Sequence, residues 1–154
     1  MAVALLSAGA LQAQTKTTTA AARPEEEPGT QERDERFKEM MTGVTLEGRW
    51  CLVEDGELTE EKEDSYRILS VTKAGGDLWI IQARIQYGER EVTMPVPVMM
   101  KWAGETPVIT LDKNEEVPEV GKYSARVVLH DGTYAGTWSG GDRQGLLHGI
   151  IRKD

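Results

Sequence analysis

Residues 122–139 read KYSARVVLHDGTYAGTWS, and this stretch decides the fold. Tyr123, Ala125, Val127 and Leu129 fall on every second position, the period of a strand with one buried face. Asp131-Gly132 interrupts the pattern, and both central positions of a tight hairpin turn need the positive φ that such a dipeptide tolerates. Residues 133–139 then predict the return strand.

The same alternation extends in both directions. Upstream, Val44, Leu46, Gly48, Trp50 and Leu52 share one face of a first strand, with Thr45, Glu47, Arg49, Cys51 and Val53 on the other. Residues 66–73 predict a second strand, in which Leu69 and Val71 oppose Tyr66 and Ile68. After the turn signal Ala74-Gly75-Gly76-Asp77, residues 78–87 carry Trp79, Ile81, Ala83, Ile85 and Tyr87 on one face and Gln82, Arg84 and Gln86 on the other. Residues 91–102 form a fourth strand whose face Val92, Met94, Val96, Val98, Met100 and Trp102 is wholly apolar. Pro95 and Pro97 sit on its opposite face; proline has no N–H for the ladder, so this strand is an edge, a bulge or a break. Short strands at 108–111 and 122–130 precede the return strand, and residues 146–152 supply the eighth. Eight short strands in meander order, with no long helix between them, predict an all-β antiparallel domain. Glycines inside the strands (Gly48, Gly136, Gly149) favour the bends of a small eight-stranded up-and-down barrel over a sandwich.

The N-terminus is of another kind. Residues 1–13, MAVALLSAGALQA, are apolar and uncharged, long enough for the core of a signal peptide and too short to span a bilayer. Ala8-Gly9-Ala10 supplies a cleavage site, although no Lys or Arg precedes the apolar run. A secreted or periplasmic location is the expectation; a flexible Ala-rich tail is the alternative. Residues 14–36 read as a disordered linker, with Pro24, three successive glutamates, Pro28 and Gly29, too poor in apolar groups to offset ordering entropy. A short helix over residues 31–41, with Phe37, Met40 and Met41 on one edge, either plugs the domain or stays loose. The folded domain is expected over residues 37–154.

The 154 residues hold 18 Lys+Arg and 26 Asp+Glu, a net charge of −8. That balance argues against a nucleic-acid partner, which needs a cationic face. One cysteine excludes an internal disulfide. The acid is concentrated in residues 54–64, with 7 acids and one base, and in residues 112–119, with 4 acids and one base.

Gly48-Arg49-Trp50 on the first strand, the short helix before it and Arg152 at the end of the last strand resemble the calycin superfamily of lipocalins and their relatives. That resemblance implies a barrel with a ligand-binding interior. It also implies structural closure by Gly48, Trp50 and Arg152, the guanidinium lying across the indole face. The Thr-Asp-Tyr type motif of lipocalins and their disulfides have no counterpart here. Residues 134–142 are also similar to hairpins of exported bacterial proteins, which implies compartment and not activity.

The chemical candidates read mostly as structural. Cys51 lies opposite Trp50 without a nucleophile signature around it, so a buried structural thiol is expected. His130, Asp131 and His148 match no metal spacing, and Asp131 is explained by its turn. His148 faces the interior or the surface depending on register. The Gly-rich residues 139–145 precede a strand and lack the Lys-Ser/Thr pair of a phosphate loop. The acidic loops lack the spacing of a calcium loop. No cofactor, metal or catalytic residue is therefore expected.

The apolar face of residues 92–102 is either plain core or the wall of a cavity. If it lines a cavity, Trp79, Tyr87, Met94, Met100 and Trp102 are the expected ligand-binding residues, and Arg84 or Gln82 orients a head group. The expected function is non-enzymatic binding of a small, partly apolar molecule by an exported barrel. The alternatives are a protein-interaction or envelope-associated module using the edge near Pro95 and Pro97, and a hydrolase whose site leaves no motif.

Overall fold

The computed structural model describes residues 29–114, 116 and 120–154. The expected leader, residues 1–13, and residues 14–28 of the expected linker lie outside the described residues. The described residues run α1 (Thr30–Met41), β1 (Val44–Glu54), β2 (Glu57–Leu58), β3 (Lys62–Gly75), β4 (Leu78–Tyr87), β5 (Arg90–Ala103), β6 (Thr106–Leu111), β7 (Tyr123–His130), β8 (Thr133–Gly140) and β9 (Arg143–Lys153). Helix α1 starts inside the segment expected as linker, so the domain begins before residue 37.

Neighbouring strands pair antiparallel in the order β1-β3-β4-β5-β6-β7-β8-β9, and β9 pairs back onto β1 from Val44↔Lys153 to Leu52↔Gly145. This is the closed eight-stranded up-and-down barrel that the alternation predicts, with β2 as one extra short strand on the end of β1. Asp131 (φ 47) and Gly132 (φ 71) form the expected turn. Asp55 (φ 53) and Gly56 (φ 80) form another in the acidic segment after β1, where a plain loop was expected. Both pairs have positive φ at each central residue, as the tightest hairpins require.

Strand β5 answers the proline question. Arg90–Met99 pair with β4, and only Met99–Ala103 pair with β6. Residues 90–98 are thus an edge within a closed sheet. Met100 donates its N–H toward the β4 side, to the carbonyl of Asp77. The unbroken register then turns the nitrogens of Pro95 and Pro97 to the open side, where no ladder N–H is needed.

In β3 a bulge between Ile68 and Ser70 changes the parity. Ile68 and Val71 are both buried, while Leu69 is outside, which corrects the expected pairing of Leu69 with Val71.

One end of the barrel is stoppered by α1. Phe37 and Met41 are buried, and the Phe37 ring meets Trp79 edge-on at 5.2 Å and Trp102 at 6.0 Å. Arg33 lies 4.2 Å over the Trp102 ring, and Lys73 on β3 pairs with Asp34 at 2.5 Å. The helix is a plug and not a loose tail. Among the described residues no helix is long and apolar enough to cross a membrane.

Candidate binding cavity

At the plugged end the interior is filled by Trp79, Met100 and Val98, each at most 4% exposed. Toward the other end the side chains no longer meet, and a cavity of about 560 Å³ opens above Met41. Its walls are apolar: Leu46, Ile68, Ile81, Ala83, Ile85, Val92, Met94, Val96, Ile109 and Val127 all line it. At the mouth, Trp50 and Trp138 meet edge-on at 5.6 Å, beside Tyr123, Lys122 and Arg143. Lys62 Nζ stands 5.2 Å over the Trp50 ring.

Within this wall lies a row of four residues set by register. Asp64 on β3 pairs with Gly48 on β1, Gly48 with Gly149 on β9, and Gly149 with Tyr134 on β8. The two glycines leave room for the Tyr134 ring, whose Oη would lie 2.1 Å from a Cβ on residue 48. Tyr66 Oη donates to Asp64 Oδ2 at 2.6 Å. Asp64 Oδ1, Tyr134 Oη and Trp138 Nε1 are buried with no hydrogen-bond partner. Buried polar atoms without partners are rare in folded proteins, and these three belong to residues that line the cavity.

Burial lifts the Asp64 carboxyl above its ordinary value near 3.8, against the opposing pull of the Tyr66 hydrogen bond and the nearby His148. Burial, with the Asp64 charge added, raises both Tyr66 and Tyr134 and keeps them as neutral phenols. Asp64 also reaches a groove of about 700 Å³ on the outer face of the same wall, lined by Glu47, Arg49, Glu63 and His148.

The expected site residues divide. Met94 lines the cavity. Trp79 and Met100 lie under the plug, and Trp102 packs against Phe37 and Arg33, so these three belong to the stoppered end. The side chain of Tyr87 lies outside the described residues. Arg84 and Gln82 face outward on β4, Arg84 toward Glu91 at 3.9 Å, so neither can orient a ligand inside. Gly48 faces the Tyr134 ring inside the barrel, and Trp50 lines the cavity at its mouth. Arg152 does not lie across Trp50: it is exposed and pairs with Glu47 at 2.6 Å, because the β1–β9 register sets it opposite Thr45. His148 is on the outer face, 2.8 Å from Glu61. Cys51 is buried outside the main core cluster. Among the described residues no three or more His, Cys, Asp or Glu side chains gather as metal ligands would.

No protein-family model, curated protein or solved structure matches this chain. Function therefore rests on the site itself.

The polar row has a measurable signature. An acid whose folded value is raised holds its proton more tightly in the native state than in the unfolded one. Its contribution is fully present below the unfolded value and is lost as pH rises through the folded one. At neutral pH Asp64 therefore opposes folding. Asp64→Asn is expected to raise the melting temperature at pH 7 by about 2–4 °C for each kcal/mol gained. The difference from wild type should shrink as pH falls toward the ordinary Asp range. Melting curves of both proteins across pH 4–8 check this; a gap that is constant with pH, or of opposite sign, would refute it.

Proposed function

We propose that this chain is a non-enzymatic binding barrel for a small, partly apolar molecule, a calycin-like use of the fold by an exported protein. One observation carries the reading. The apolar cavity of about 560 Å³ is lined by Asp64, Tyr134 and Trp138, each of which carries a buried polar atom without a partner. That volume lies in the range of small-molecule sites, about 300–1,000 Å³, and the mix of apolar wall and few polar groups is what such sites use to hold and orient a ligand.

The uncharged dye Nile red should bind saturably with enhanced fluorescence. Ala83 is 4% exposed and lines the cavity, so Ala83→Trp is expected to fill part of it and weaken the dye at least tenfold, about 1.4 kcal/mol. Circular dichroism should show the β-barrel retained. No saturable binding to wild type, or an unchanged affinity in the folded variant, would overturn the reading.

The unpaired stretch of β5 at residues 90–98 favours a second reading, docking of a protein partner along that edge. Pro95 and Pro97 weigh against it, since they remove two donors from the open side.

A further inference from the structure

Resting on the cavity reading, we propose that the ligand carries a cationic amine head, held between Asp64 Oδ1 and Tyr134 Oη, with its apolar body in the barrel interior. Asp64 is 8% exposed, and one of its oxygens is already satisfied by Tyr66. The other oxygen is buried without a partner, and so is the hydroxyl of Tyr134, whose ring reaches back across the two glycines to Gly48, the residue paired with Asp64.

The missing group is defined by what these two atoms need. A carboxylate accepts only, and a phenol oxygen accepts as well as donates. A group with several N–H donors can serve both atoms at once, as an ammonium does with its three. A hydroxyl head brings one donor. An anionic head would place like charge against Asp64 inside an apolar wall, where charge repulsion is least screened. A bound cation also favours the ionised form of Asp64, opposing its desolvation by burial.

Two further features favour an amine. Trp50 and Trp138 offer aromatic faces at the mouth, and an ammonium of this chain, Lys62, already stands over Trp50. Residues 54–64, which leave β1 at the mouth and return through β3, carry a net charge of −6 and would raise the local concentration of cations. Against these stand Lys122 and Arg143, exposed on the rim, which would greet an anion.

Matched eight-carbon ligands decide between the heads. Octylammonium, 1-octanol and octanoate compete for the barrel loaded with Nile red. Octylammonium should displace the dye at concentrations at least tenfold lower than either of the others. Asp64→Asn should reduce that preference below twofold, and circular dichroism should show the barrel of the variant retained. Asp64→Ser provides a second removal of the carboxylate, and the wild-type comparison stands without any variant. If octanoate equals or outcompetes octylammonium while the dye still binds, the amine is wrong and the cavity reading survives. If Nile red never binds, the cavity reading fails and takes this inference with it.

Discussion

Replacing Phe37 by alanine is expected to lower the unfolding free energy by about 3–5 kcal/mol, a large share of the 5–15 typical of a domain. Phe37 is 2% exposed and contacts two indoles edge-on, with interplanar angles of 84° and 85°. The rest of α1 adds the wholly buried Met41, Arg33 over Trp102 and the partly buried Asp34–Lys73 pair. Its buried residues are Asp34, Phe37 and Met41, and the Arg36–Glu105 pair is exposed on both sides. Exposed pairs contribute about 0–1 kcal/mol. A 12-residue helix is marginal alone, so its own stability depends on docking. Truncating Phe37 therefore removes a packed ring and loosens the cover over Trp79 and Trp102 together. Urea unfolding gives the energy, and a red shift of native tryptophan fluorescence should accompany it. A loss below about 1 kcal/mol, with unshifted fluorescence, would mean that α1 rests on the barrel without sealing it.

Which residues share a strand face was legible in the sequence wherever no bulge intervenes; which face points inward on residues 78–87, and the height of each residue along the barrel, were not. Period-two alternation sets Met94, Met100 and Trp102 on one apolar face, and Trp79 on one of two faces of its strand without saying which points inward; the barrel turns all four inside. Alternation contains nothing about where α1 docks, and that docking turns Trp79 and Trp102 from candidate ligand contacts into plug contacts. Asp64 shows the opposite error. Within residues 54–64 it is one acid among seven and reads as part of a solvated loop. Counted back from Ile68 and Tyr66 in steps of two, it belongs to the inner face. The cue was present, but composition outweighed parity. The bulge after Ile68 left no such cue, since Leu69, Ser70 and Val71 read as ordinary alternation. Arg152 failed because an arginine near a strand end says nothing of its partner until register is known, and here the register hands it to Glu47.

Gly48→Ala is expected to destabilise the barrel by about 1–3 kcal/mol, the usual cost of forcing extra volume into a filled space. A Cβ on residue 48 would fall 2.1 Å from Tyr134 Oη and 2.2 Å from the carbonyl oxygen of His148. The first neighbour is a side-chain tip and can move; the second is the backbone of the paired strand and moves only if β1 and β9 part. The same relation recurs around this half of the barrel. A Cβ on Gly149 would strike the carbonyl of Glu47 at 2.3 Å, on Gly136 that of Arg126 at 1.9 Å, and on Gly145 that of Cys51 at 1.9 Å. Each of these glycines faces a neighbouring strand that crosses too close for any side chain, as sharply coiled sheets require at their bends. The two sources of strain separate in a double variant. Tyr134→Phe removes the hydroxyl but not the carbonyl, so it should restore only part of the loss in Gly48→Ala. Unfolding free energies of the two single variants and the double variant supply the coupling. Full restoration would assign the clash to Tyr134 alone and end the argument that a backbone bend demands glycine at this position. Partial restoration would make Gly48 serve both ends of one design: the bend that closes the barrel, and the space through which the Tyr134 ring reaches toward Asp64.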